Sequence, residues 1–157
     1  MYWEEIIELI KTHGKDETNP AFPNQYNDSD DYYVYEYERG TVKTSYIDID
    51  EFSEKIKDCF KKYLKYGLKN MQIFSSLGAS EGIGEHTDNG NVLIICLEGE
   101  IGYIIERTGR VFLKAGDTIF IKDNLLHSGI SSTVPRICLS CEVQESIPSH
   151  EVTHFFG

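Results

Sequence analysis

The spacing of apolar positions changes near residue 68. Before it, Trp3, Ile6, Ile7 and Ile10 recur at helical intervals, which predicts one amphipathic helix over residues 2–12, stopped by Gly14. Phe52, Ile56, Phe60 and Leu64 form a second stripe in "DIDEFSEKIKDCFKKYLKYG", with Asp48 or Asp50 as its expected cap and Gly67 as its stop. Between the two stripes, residues 15–31 are loop by composition. "YYVYEYERGTVKTSYIDI" reads as two strands around "ERGT", a hairpin whose tyrosines (Tyr32, Tyr33, Tyr35, Tyr37) are either ordinary strand packing or part of a lid.

From residue 69 onward, short β-branched and aromatic runs alternate with Gly, Asp and Asn. They are "NMQIFSSL", "GIGEHTD", "NVLIICLEG", "IGYIIER", "RVFLKAGD", "TIFIKD", "LLHSGIS" and "RICLSCEV". Strands this short and evenly spaced predict a barrel or jelly roll, with the two helices covering one outer face. "NVLIICL" is apolar on both faces, so it should be a central strand covered twice. The expected organisation is one domain over 1–157: a helical and hairpin support region (1–68), the β core (69–145) and a tail (146–157).

Composition narrows the classes of partner. Fifteen Lys and Arg against 26 Asp and Glu give a net charge of −11, which argues against nucleic-acid binding through a broad basic surface. A small anionic ligand would need its own local positive charge. No apolar run reaches the ~20 residues of a membrane span, and "MYWEEIIELI" does not read as a signal peptide, so a cytoplasmic location is expected. Cys59, Cys96, Cys138 and Cys141 are then expected as reduced thiols. In "CLSC" the two cysteines are three apart on a strand and face opposite ways, so a zinc knuckle gives way to buried thiols.

The chemistry starts at "GEHTDNG". His86 and Asp88 are i and i+2, on one face of an extended chain. A third ligand must come from a neighbouring strand. Of His13, His127, His150 and His154, His127 opens the seventh predicted strand, which neighbours the second in an eight-stranded jelly roll. Two imidazoles and one carboxylate on one face of a metal suit Fe(II) with open positions. Zn or Ni could occupy such a site adventitiously, since Fe(II) lies low in the affinity series. Without the barrel, "HTD" is a polar turn. Arg136 follows nine residues after His127, on the last strand. Ile137, Leu139, Cys141 and Val143 form one face there, and Arg136, Cys138, Ser140 and Glu142 the other, facing either solvent or a polar cavity.

His86-Thr87-Asp88, the distal His127 and the following Arg136 resemble the Fe(II)- and 2-oxoglutarate-dependent dioxygenases, and the histidine-to-arginine spacing is similar to that of the prolyl hydroxylases. The stretch from "HTDNGNVLIICLEG" to "AGDTIFIKDNLLH", with its glycine at position 99, is similar to the cupin-type hydroxylases and JmjC proteins. The likeness covers about residues 70–143. It implies a cupin-like double-stranded β-helix, Fe(II) held by His86, Asp88 and His127, O2, and 2-oxoglutarate as co-substrate with its distal carboxylate on Arg136. The implied reaction is hydroxylation of an unactivated C–H bond of a small-molecule or peptide-like substrate. JmjC proteins carry a lysine soon after that glycine, where Glu100 and Ile101 stand here, and several small-molecule oxygenases have a serine where Cys138 stands. The clamp therefore rests on Arg136, with Tyr103 or Ser140 offering a hydroxyl.

Competing readings remain. A metal cupin that does not use 2-oxoglutarate (an isomerase, another oxygenase or a binding module) keeps the three ligands and gives Arg136 no role. A non-catalytic interaction barrel keeps none of the chemistry. "HEVTH" at 150–154 matches the zinc-protease motif H-E-x-x-H, which needs a helix; Pro148 and two β-branched residues disfavour one there.

Overall fold

A computed structural model describes residues 2–7, the backbone of 33–38 and 41–46, and residues 52–78, 80, 86–130 and 134–157. Helix α1 is seen over residues 3–7 and helix α2 over Glu54–Phe60. The strands are β1 (Tyr33–Glu38), β2 (Thr41–Tyr46), β3 (Leu68–Ser76), β4 (Asn91–Glu98), β5 (Glu100–Ile105), β6 (Gly109–Lys114), β7 (Thr118–Ile121), β8 (His127–Ile130), β9 (Arg136–Val143) and β10 (His154–Phe156). They form one sheet in the order β1-β2-β3-β9-β4-β7-β10 and a smaller one in the order β6-β5-β8. From β4 to β9 the chain passes back and forth between the sheets, which is the winding of a double-stranded β-helix.

Two apolar layers result. Between the sheets lie Val92, Ile94, Cys96, Ile101, Ile105, Leu113, Ile119 and Ile121. On the outer face of the large sheet, Leu93, Ile95, Leu97, Ile137, Leu139 and Val143 meet Ile6, Phe52, Ile56 and Phe60 from the N-terminal region. Strand β4 therefore feeds both layers, as its apolar run predicts, and the helices cover one outer face. Helix α2 has seven residues, too few to be stable alone. Burying Phe60 and Ile56 against the sheet, at about 1.5–3 kcal/mol each, is what holds it.

The second helix differs from expectation in two ways. It starts later, capped by Ser53, whose hydroxyl accepts from the Ile56 N–H at 3.3 Å. Asp48 and Asp50 lie outside the described residues and precede that cap. Residues Lys61–Tyr66 then continue as a 3₁₀ helix, up to Gly67 at φ 78°. With three residues per turn, the position after Phe60 that faces the sheet is Tyr63, which is buried, while Leu64 is turned out to solvent. In α1, Ile6 is buried and Ile7 is exposed; Ile10, Gly14 and the 15–31 loop fall outside the described residues. The hairpin β1–β2 forms as predicted and joins the large sheet through β2–β3.

The tail is not a helix. Ser149–Glu151 is one 3₁₀ turn, and β10 pairs in parallel with β7. His150 is largely exposed, so the two histidines of "HEVTH" do not share a helical face. Tyr63 donates to the Glu151 carbonyl at 2.9 Å, and Tyr66 donates to the Glu151 carboxylate at 2.7 Å. No described helix is long and apolar enough to cross a membrane.

Gly99 links β4 to β5 at φ 73°, where a Cβ would lie 2.1 Å from the Pro135 carbonyl oxygen. Gly99→Ala should lower stability by at least about 2 kcal/mol, because backbone must move as well as twist. Gly109, at φ 96° with open space around it, should lose only about 1 kcal/mol on the same change. Urea midpoints that fall equally for the two variants would refute the close-approach argument.

The Tyr66 hydrogen bond holds the Glu151 carboxyl below its ordinary 4.5 and, together with desolvation, pushes the phenol up to about 12. A depressed carboxylate stabilises above its ordinary value and loses that contribution as pH falls. Amide exchange at residues 150–154, corrected for intrinsic rates, should be better protected at pH 7 than at pH 4. Tyr66→Phe should remove the difference.

Candidate metal centre and its cavity

His86 and His127 face each other as an isolated antiparallel bridge. The His86 N–H donates to the His127 carbonyl at 2.9 Å, and the His127 N–H donates back at 3.0 Å. Directly opposed residues point to one face of a pair, so the bridge brings both imidazoles together. Their ring centroids are 4.3 Å apart. Of the predicted second strand "GIGEHTD", this bridge is the only paired position among the described residues; residues 82–85 lie outside them.

Asp88, two residues on, turns its carboxylate to the same point. Its Oδ2 is 3.1 Å from His127 Nε2 and 3.6 Å from His86 Nε2. Ligand atoms sharing an octahedral face lie roughly 3 Å apart at metal–ligand distances of ~2.1 Å. The donor atoms of His86, Asp88 and His127 all lie within 4.8 Å of one another.

Second contacts orient these donors. His127 Nδ1 is 2.8 Å from the Leu125 carbonyl. That acceptor takes the Nδ1 proton and leaves the Nε2 lone pair aimed at Asp88. Two imidazoles and a carboxylate with their donor atoms this close together fit a divalent metal. The Asp88 carbonyl also accepts from the Asn124 N–H at 3.2 Å, which ties the end of the HTD segment to the loop before β8.

The three donors line a cavity of about 190 Å³ between the sheets. Its walls include Val92, Ile94, Ile101 and Tyr103. Arg136 opens onto the same space, buried to 5% exposure. The alternation read from β9 holds: Ile137, Leu139 and Val143 face the helices, while Arg136, Cys138, Ser140 and Glu142 line the cavity. Cys138 and Cys141 accordingly lie on opposite faces, and all four cysteines are free.

Arg136 Nη1 is buried without a hydrogen-bond partner among the described residues. Beside the guanidinium are Tyr103, Cys96 and Cys138. Desolvation raises the Tyr103 phenol well above its ordinary value, and the nearby Cys138 thiol adds to this. Desolvation likewise lifts Cys138 to about 11, against the pull of Arg136. These neighbours are uncharged near neutral pH, so none of them compensates the guanidinium.

The structure thus brings every residue singled out from the sequence to one cavity: His86, Asp88, His127, Arg136, Tyr103 and Ser140. It adds Gln72, Phe74 and Asn70 from β3 and Glu142 from β9. Glu142 was legible from the strand alternation. The β3 residues were not, because nothing in "NMQIFSSL" says which face turns inward.

No protein-family model matches the chain, and no curated protein does. Similar shapes occur among solved structures. One is a cupin superfamily protein from Desulfitobacterium hafniense (14% identity, TM-score 0.48, covering 68% of this chain and 80% of that one). Another is a cupin 2 conserved barrel domain protein from Leptotrichia buccalis (21%, TM-score 0.49, 69% and 43%). A third is a polyketide cyclase from Streptomyces resistomycificus (16%, TM-score 0.49, 69% and 68%).

A divalent metal bound only by the folded site should raise the melting temperature of the wild type. Asp88→Ala should remove most of that rise, yet leave the metal-free melting temperature nearly unchanged, since its side chain is 36% exposed. A variant that keeps the full metal-dependent rise would place the metal elsewhere.

Proposed function

We propose that the chain is a metal-dependent enzyme that holds a small carboxylate ligand between His86, Asp88 and His127 at one end and Arg136 at the other. Of such enzymes, we favour an Fe(II)- and 2-oxoglutarate-dependent oxygenase. One observation carries this reading: a buried guanidinium, with a nitrogen unpartnered among the described residues, opening onto the cavity that the three donors share. An isolated buried charge costs several kcal/mol, so a fold that keeps one gains from an anion arriving there.

The positions suit the role. Gly129, on the cavity wall, is two residues deeper along β8 than His127, a step of about 7 Å. Tyr103 is opposite Gly129 and beside Arg136. A ligand anchored near His127 and extending inward therefore meets the phenol and then the guanidinium. The guanidinium would take the distal carboxylate in a two-pronged contact, with Tyr103 as a further donor. Val92, Ile94 and Ile101 keep water from the ligand's flank. Ser140 lies four residues from Arg136 along β9, opposite Gln72 and next to Glu142 on the same face. Bound Fe(II) would supply the redox chemistry by which O2 and 2-oxoglutarate hydroxylate a C–H bond.

A second reading has one observation in its favour. A cavity of about 190 Å³ is little larger than one that accepts benzene, so it holds one small molecule and not two. A metal cupin acting on a single carboxylate substrate needs no more.

Turnover separates the readings. Incubation with Fe(II), O2 and 2-oxoglutarate should release succinate and CO2. Arg136→Ala should raise the 2-oxoglutarate requirement by roughly two orders of magnitude, the scale of a lost buried charge pair at about 3 kcal/mol, with little change in the iron requirement. Metal binding without succinate would support the single-substrate enzyme, and equal effects on both requirements would sink the assigned role of Arg136.

A further inference from the structure

The inner face of the β3–β9 pair changes character along its length. Arg136 is opposite Ser76, Cys138 opposite Phe74, Ser140 opposite Gln72, and Glu142 opposite Lys69. The rail begins with a cation at its deep end, passes thiol and phenyl, reaches a hydroxyl and an amide, and finishes with a carboxylate. At that last end the register of β3 shifts between Lys69 and Gln72, and Asn70 takes φ 53°. Bulges of this kind re-aim side chains beside active sites, and here Asn70 joins the cavity lining.

Glu142 belongs to two spaces at once. It lines the inner cavity with Asp88 and His86, and it lines an outer groove of about 650 Å³ that runs past Asn89 and Gln144. The inner space holds one small molecule. A second substrate must therefore keep most of its body outside, and Glu142 is where the two spaces meet. Its charge is held loosely: the Lys69 ammonium is 3.7 Å away, on a side chain that is 56% exposed. An exposed ion pair of this kind contributes little and exchanges readily. Asn70, Gln72 and Ser140 line the same cavity as Glu142.

We propose that Glu142 anchors a protonated amine or guanidinium of the substrate at the junction of cavity and groove, with Lys69 as the cation it displaces and Gln72 and Ser140 as flanking hydrogen-bonding groups. The inference rests on the metal-centred reading for its consequence, since it delivers a carbon near that cation to the His86–Asp88 side of the cavity. The substrate class is then a small amine, or a chain that ends in one.

The test is a protein-observed NMR titration of the Zn(II)-loaded and the metal-free protein. Pentylamine and butylguanidine are compared with their uncharged counterparts, pentanol and butylurea. Both cations should bind at least tenfold tighter than the neutral pair, with shifts at Glu142 and Gln72. Glu142→Gln should erase the difference. Lys69→Met, which removes the competing ammonium, should enlarge it, and this gain is not open to a misfolded variant. Equal affinity for charged and neutral probes, or a difference that survives Glu142→Gln, overturns the proposal. Failure of Zn(II) to bind would instead sink the metal reading, and the metal-free titration would still decide the role of Glu142.

Discussion

Two backbone hydrogen bonds between His86 and His127 are the constraint on which the remaining chemistry depends. A strand side chain changes face with every residue, so a slip of one position in this bridge would send one imidazole outward. The register is secured from behind. His127 also pairs with Ile105 on β5, while the Glu106 N–H donates to the Leu126 carbonyl at 2.9 Å and the Leu126 N–H donates to the Glu106 carboxylate at 2.7 Å. Asp88 needs no further device, because an extended chain returns it to the face of His86. Three donors from two distant parts of the sequence are thus aligned by ordinary ladder geometry.

Arg136 poses the opposite problem, since nothing in ladder geometry neutralises a charge. The fold surrounds it with Tyr103, Cys96 and Cys138, whose ionisation burial suppresses. A carboxylate at any of these positions would have satisfied the guanidinium and closed the space to an incoming anion. The same logic runs in reverse at Glu142, whose ion-pair partner among the described residues is a solvent-borne lysine. The cavity is therefore polarised along its length, with the metal donors between two opposite charges.

Much of this was legible in the sequence because it follows from period-two alternation. The doubly covered β4, the shared face of His86 and Asp88 and the inward face of β9 all follow from it, while the nearness of His127 to His86 follows from the strand order of a jelly roll. Two misreadings in the second helix have local causes, and two further features were set by tertiary contacts. The expected cap at Asp48 or Asp50 lost to Ser53, because a hydroxyl three residues before Ile56 meets that donor directly. Leu64 lost its buried place to Tyr63 when the helix tightened to three residues per turn, a change that composition does not announce. The parallel pairing of β10 beside β7 arises from tertiary contacts, among them the Thr118–Thr153 pair, that have no local signature. The side of β3 that faces inward was likewise set by its neighbours.

Cys96 and Cys138 stand opposite each other on β4 and β9, between the sheets and almost wholly out of solvent. Desolvation pushes the first to about 12 and the second to about 11, so neither is a nucleophile in the closed molecule. Cys138 lines the ligand cavity, but alkylation of the fully buried Cys96 must wait for the sheets to part. A thiol reagent applied under native conditions would then act as a stopwatch, its rate recording how often the molecule breathes open at its centre.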